Sequence, residues 1–483
     1  MRTAGGSGTR RAPRATGWRV RLAVIAFLAT LLAGCAHDVP GHPGAAAPAV
    51  PATAGPGSDT RPSDESDPPS PRSTEEITTL AVAALGDYWR AAFPASFGRP
   101  WAPIRVFAPV HPGDPAAAAP PCVHGATELD GRAFYCPAAD AVVWDAENLL
   151  PRLHRNVGPA AVAVVLAHEI GHAIQNRLGV DEARHTEPER YPTILLEAMA
   201  DCYAGAALRH LADAAPVAVL PIGPLERDAA LLALVEFRDP LGTEPVDDIA
   251  HGNAFDRVSA FQDGYADGPV RCAEMTVDNR QFTQRRFGSA ADRARGGDLP
   301  MPQLLTAISG DARGWFGAVV AGHDPAAGWQ APALETDPGA TACDEAALRA
   351  QGPARFCAAD GAVVVDRAAL APLQRRFGDF AGATLIASRY GLAALAAMAE
   401  PTTGASAGRT AVCLAGAYTG RLIDPSGTFG LSPGDLDEAI GVLLAADWAE
   451  RDAAGEIEPA EHGYERVLRF RTGLLAGPAG CGT

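Results

Sequence analysis

The residues best equipped for chemistry lie in one short stretch, His168-Glu169-Ile170-Gly171-His172. Two histidines four residues apart on a helix project from one face, a turn from each other. Their nitrogens can share one zinc ion, with Glu169 beside them to take a proton from water. A second pair, Glu197 and Asp201, is again spaced by four. Catalytic zinc commonly takes two His and one Glu and keeps a position for water, so Glu197 is the candidate third ligand. Asp201, one turn on, can accept the outer N–H of a zinc-bound imidazole and fix its tautomer. The plainer reading is an apolar core helix that happens to carry histidines, followed by two solvated acids. The neighbours of those acids (Ile194, Leu195, Met199, Cys202, Ala204) are mostly apolar and small, which argues against a solvated face.

Two helices must position these groups. Gly158-Pro159 opens the first, since Pro is tolerated at the first helical position, and Gly179 can close it. The second starts near Thr193. The 25 residues from His172 to Glu197 let one helix end and the next pack back across it. Further helices are expected over Glu75–Phe93, Pro224–Phe237, Phe255–Tyr265 and Gln303–Val320, and strands over Ile104–Pro109 and Ala141–Asp145. The expected class is α+β, mainly α, with two zincin-like domains, each a two-helix scaffold and a small sheet. Ala141–Asp145 is the candidate edge strand for holding a substrate backbone.

Four blocks carry a family resemblance: FYCPAADAVVWD (Phe134–Asp145), AHEIGHAIQN (Ala167–Asn176), LEAMADCYAG (Leu196–Gly205) and HGNAFDRVSAFQDGYADGPVRC (His251–Cys272). In these, over roughly residues 73 to 285, the chain resembles the neutral zinc metallopeptidases of bacteria. The resemblance implies a zinc-dependent peptidase acting on peptides or proteins, with ligands on His168, His172 and Glu197 and Glu169 catalytic.

Residues 1–35 read as a lipoprotein signal. Arg10, Arg11, Arg14, Arg19 and Arg21 precede the apolar run Leu22–Ala33, and Leu32-Ala33-Gly34-Cys35 makes Cys35 the expected lipidation site. Residues 36–72, rich in Pro, Ala, Gly and Ser, read as a tether. The expected address is the outer face of the bacterial membrane. The formal charge is −17; residues 1–34 hold six Arg and no acid, so the remainder carries −23. Every basic residue is Arg. So acidic a body excludes nucleic acid as a partner and a polybasic membrane patch as an anchor.

The chain also repeats itself. Cys122 and Cys136 are 14 apart, as are Cys343 and Cys357, and PAADAVVWD after Cys136 returns as AADGAVVVD after Cys357. Val165–Ala173 is echoed 220 residues on by Leu385–Ala393, and ADCYAGA (Ala200–Ala206) by AVCLAGA (Ala411–Ala417). His251-Gly252 pairs with His462-Gly463, Arg257-Val258 with Arg466-Val467, and Cys272 with Cys481. This predicts a peptidase domain (73–285), a polar junction (286–298) and a degenerate second copy (299–483). In that copy Ser388, Arg389, Leu392, Gly408 and Val412 stand where the first has His168, Glu169, His172, Glu197 and Asp201. Because His462 persists where no zinc can bind, His251 is expected to be structural, with oxyanion stabilisation the other role open to it.

Eight cysteines other than Cys35 could pair in 105 ways. The repeat favours Cys122–Cys136, Cys202–Cys272, Cys343–Cys357 and Cys413–Cys481, the alternative being cross-pairing such as Cys136 with Cys202. The second domain is expected to regulate the first or bind an envelope partner. A different class of function is also compatible: a non-catalytic envelope lipoprotein, a binding scaffold with a structural or vestigial zinc.

Overall fold

The apolar runs, and the Gly and Pro residues that bound them, become helices. The computed structural model describes residues 37–38, 72–214, 220–336, 342–424, 429–459 and 461–482. The expected leader, Cys35 and nearly all of the tether lie outside them. The fold is α+β, mainly α.

The first half holds β1 (His37–Asp38), α1 (Thr74–Phe97), β2 (Val106–Val110), β3 (Ala133–Cys136), β4 (Ala141–Asp145), α2 (Leu149–Asn156), α3 (Pro159–Leu178), α4 (Val180–Thr186), α5 (Thr193–Asp213), α6 (Pro224–Glu236), α7 (Ala254–Asp267) and α8 (Pro269–Ala273). A short helix α9 (Ala290–Ala294) lies in the junction. The second half holds α10 (Met301–His323), β5 (Ala333–Glu335), α11 (Glu345–Ala350), β6 (Ala354–Cys357), β7 (Ala362–Val365), α12 (Arg367–Phe377), α13 (Asp379–Ala397), α14 (Ala405–Arg421), α15 (Asp435–Ala445) and α16 (Gly463–Ala476). Expected boundaries fall within a few residues of these; α1 runs four residues further, through Pro94, because Gly98 in the left-handed region (φ 64°) provides its stop.

The first sheet has the order β1-β3-β4-β2, with β2 parallel to β4 and β3 antiparallel to it. The second has the order β5-β7-β6 with the same pattern of directions. Ala141–Asp145 is thus an inner strand, paired on both sides, and cannot receive a further backbone. On the far side of β4 from β2 lies β3, and along β3 the short β1 pairs Asp38 with Phe134 and His37 with Tyr135. The apolar run of β4 identified a strand but not its neighbours, because order in a sheet is set by the crossover connections.

Helix α3 begins at Pro159 after Gly158 (φ 120°) and ends at Gly179 (φ 84°). Every side chain from Ala160 to Gln175 is buried, so this is a central helix rather than an amphipathic surface one. It crosses α5 at Gly171, where an added Cβ would stand 2.8 Å from the Cα of Ala200. Helix α5 in turn crosses α7 with backbones in contact. A Cβ on Gly205 would meet the Phe261 carbonyl oxygen at 2.0 Å, and one on Gly264 the Cys202 carbonyl at 1.7 Å. Disulfides join Cys122–Cys136, Cys202–Cys272, Cys343–Cys357 and Cys413–Cys481, the expected pairing. Cys202–Cys272 ties α5 to α8 beyond the close crossing.

Candidate metal centre

The crossing of α3 over α5 brings His168, His172, Glu197 and Asp201 together; each is no more than 2% exposed. The Nε2 atoms of the two histidines lie 3.2 Å apart. Glu197 sets one oxygen 3.1 Å from His168 Nε2 and the other 3.4 Å from His172 Nε2. Ligand atoms bound tetrahedrally at 2.0–2.1 Å stand about 3.3 Å from one another. Three side chains on two helices, α3 and α5, therefore already have separations close to those that a zinc ion imposes.

The outer nitrogens are tied down as well. His168 Nδ1 donates to Asp201 Oδ1 at 2.7 Å, which leaves Nε2 with its lone pair turned toward Glu197. His172 Nδ1 faces Gln175 Oε1 at 3.1 Å, while Gln175 donates from Nε2 to the Leu196 carbonyl at 2.5 Å. Asp201 Oδ1 also accepts from Arg257 at 2.9 Å, and Arg257 donates to the Phe237 carbonyl at 2.8 Å. Burial disfavours protonation of His168, yet the carboxylates of Asp201 and Glu197 outweigh it and push this imidazole up to about 10. Burial works against ionisation of Glu197 too, but His172, His251 and His168 hold it well below the usual carboxylate range. An ionised carboxylate between two imidazoles whose lone pairs converge is a donor set that fits Zn²⁺.

Glu169 is fully buried, and burial, with Glu197 adding to it, pushes its carboxyl up to about 8. His168, Arg257 and the Tyr135 backbone oppose that rise, so Glu169 sits between the histidines and β3.

His251 stands in the loop between α6 and α7, where its charge acts on Glu197. Asp239 holds it, accepting from its backbone N–H at 2.7 Å and facing its Nδ1 at 3.2 Å. The expected equivalence of His251 with His462 does not hold. Gly264 and Gly473 make the same contact, on the carbonyls of Cys202 and Cys413. Counting back eleven residues from each reaches Asn253 and His462, the N-caps of α7 and α16. His462 therefore matches Asn253, and the reason for treating His251 as merely structural disappears. The echo misled because His462-Gly463 follows His251-Gly252 by 211 residues, whereas Arg466 and Cys481 follow Arg257 and Cys272 by 209.

Sequence reasoning missed Gln175, Asp239 and the partner of Arg257. Gln175 had a signal, since it lies three residues after His172 on the same helical face. Asp239 and Arg257 had none, for their partners are distant in the chain.

The family's sequence profile, described as "Putative neutral zinc metallopeptidase", matches residues 4–275. The chain belongs to this family. Among curated proteins it is similar to the uncharacterized protein YpfJ of Escherichia coli K12 and to its namesake in Escherichia coli O6:H1, each 31% identical over 157 residues. That alignment covers 29% of this chain and 52% of each relative, so the match spans about half their length. No solved structure matches. For this family member the convergent triad is a possible metal site, and a hydrolase acting on peptides or proteins is the activity the family name suggests.

Proposed function

We propose that the chain is a zinc-dependent peptidase held at the extracytoplasmic face of the membrane through Cys35. His168, His172 and Glu197 would hold the zinc. The observation that carries this reading is their spacing of 3.1 to 3.4 Å, with the outer His168 nitrogen bonded to Asp201. When bound, zinc supplies Lewis acidity to the scissile carbonyl and to water. Glu169 accepts the proton from water and returns it to the leaving amine. Asp201, itself fixed by Arg257, orients His168, and His251, held by Asp239, is placed to donate to the developing oxyanion. A peptide can enter as an antiparallel strand along β3, where β1 now lies. Replacing Glu169 by Gln should leave one zinc per chain and lower peptide cleavage by at least 100-fold. A variant that cleaves a peptide library as fast as wild type removes Glu169 from the mechanism.

In the same reading residues 299–483 are a degenerate copy that regulates the first or binds an envelope partner. The repeated strand order and the paired glycine contacts support the duplication. Its former site is filled from within. Arg389 donates to the carbonyls of Trp448 and Ala449 at 3.0 and 2.9 Å. Gly408 lies against the Glu450 carbonyl, 1.8 Å from where a Cβ would be. The complete burial of the first site favours a second reading, a scaffold with structural zinc; bound zinc without turnover in wild type would select it.

A further inference from the structure

A second group of acids lies far from the histidines in the chain, where the junction meets the second half. Asp298 ends the junction, Asp379 opens α13, and Asp435 and Glu438 lie in the first turn of α15. Asp379, Asp435 and Glu438 are buried, at 3, 5 and 7% exposure. Oxygens of Asp298, Asp379 and Glu438 all lie within 4.8 Å of one another. Asp435 lies beside these three, one turn before Glu438 on α15, and is the charge acting most strongly on Glu438.

Each acid gives one oxygen to the backbone. Asp298 accepts from the Asp379 N–H at 3.3 Å, Asp379 from Leu299 at 2.7 Å, Glu438 from Phe380 at 2.6 Å and Asp435 from Ser432 at 2.8 Å. The second oxygen of Asp435, Oδ1, is buried and has no hydrogen-bond partner among the described residues. None of the four forms an ion pair among the described residues; the guanidinium acting on Asp435, that of Arg285, donates to the carbonyls of Leu431 and Ile423. Gly378 (φ +112°) leaves room for the cluster, because the Glu438 carboxyl carbon lies 2.0 Å from where a side chain would begin. Burying so many carboxylates without a cation is costly, and such groups either keep protons or hold a metal.

We propose that Asp298, Asp379, Asp435 and Glu438 form a second, oxygen-only site for a divalent cation, of which Ca²⁺ is the best match. A shell of several carboxylates suits this hard, geometrically tolerant ion better than Mg²⁺. The ion would join the junction to the N-termini of α13 and α15, a staple distinct from the zinc chemistry and independent of it.

The test uses the full chain, stripped with EDTA and dialysed at neutral pH. CaCl₂ should bind at one ion per chain by calorimetry, more tightly than MgCl₂, and should raise the melting temperature by several degrees at a hundredfold excess over Kd. Asp435→Asn and, separately, the half-buried Asp298→Asn should each weaken Ca²⁺ at least tenfold, whereas His168→Ala should not. No heat and no shift in the melt with wild type, or undiminished binding in both Asn variants, overturns the proposal. So does a melting temperature that responds to acidification but not to Ca²⁺, which would mean that the cluster simply holds protons.

Discussion

At the scale of single residues, a buried arginine in each half has a different set of partners. Arg257 bonds Asp201, which in turn holds His168. In the second half Arg466, which the proposed duplication pairs with Arg257, bonds the Leu443 carbonyl, and the position it pairs with Asp201 is Val412. Glu450 is the buried acid beside it: it is 2% exposed, and Arg466 is foremost among the cations acting on it. Burial, aided by Glu461, pushes its carboxyl up to about 7 against an ordinary 4.5. The folded chain therefore binds this proton more tightly than the unfolded chain does. The resulting stabilisation is full below about pH 4.5 and lost as pH rises through about 7. Glu450→Gln cannot ionise and should abolish that loss, by on the order of 1–3 kcal/mol between about pH 5 and pH 8. Urea melts of the two proteins at both pH values measure it. His168, Glu169, His172 and Glu197 were legible in the sequence because metal chemistry dictates residue type and helical spacing. Arg257 and Asp239 were not, since any acceptor the fold brought near Arg257, or any N–H it brought near Asp239, could have been the partner.

At the scale of elements, the centre depends on how closely α3, α5 and α7 approach. Glu197 reaches the histidines because Gly171 lets α3 lie on α5, and Arg257 reaches Asp201 because Gly205 and Gly264 let α7 lie on α5. The repeat marks the same positions with Gly391, Gly416 and Gly473. Their retention was visible in the sequence; the reason, carbonyl contact with the crossing helix, needed coordinates. A methyl on Gly264 would collide with backbone that no rotamer change can clear. Gly264→Ala should cost about 3 kcal/mol or more and reduce zinc retention, whereas Gly86→Ala on α1, with nothing within 4 Å, should not destabilise. Thermal melts with metal analysis distinguish these outcomes. Sheet order was the element-level feature most poorly legible, for a local apolar run says nothing about which strand ends a sheet.

At the scale of the molecule, the second half is joined to the elements that complete the candidate centre. Asp437 accepts from the Ala254 N–H at 2.7 Å, a free donor in the first turn of α7, and pairs with Arg238 at 3.1 Å. Asp228 of α6 accepts from Gly463 and Tyr464 at 2.8 and 2.7 Å, and Gln262 donates to the Tyr464 carbonyl at 3.2 Å. Arg471 pairs with Asp263 and donates to Ser259. Helices α6 and α7 flank the loop that carries Asp239 and His251, so the second half braces that loop although its own site is filled. A chain ending at residue 298 would expose the apolar face of α7 and leave Asp228 and Arg238 without these partners. It should melt well below the full chain and release zinc more readily. Asp437→Ala in the full chain should cost about 1–3 kcal/mol, as expected for an unsatisfied buried N–H, and impair catalysis more than zinc binding. If the shortened chain kept its melting temperature and its zinc, the second half would be an attached passenger, and these bonds between the halves would not govern the centre.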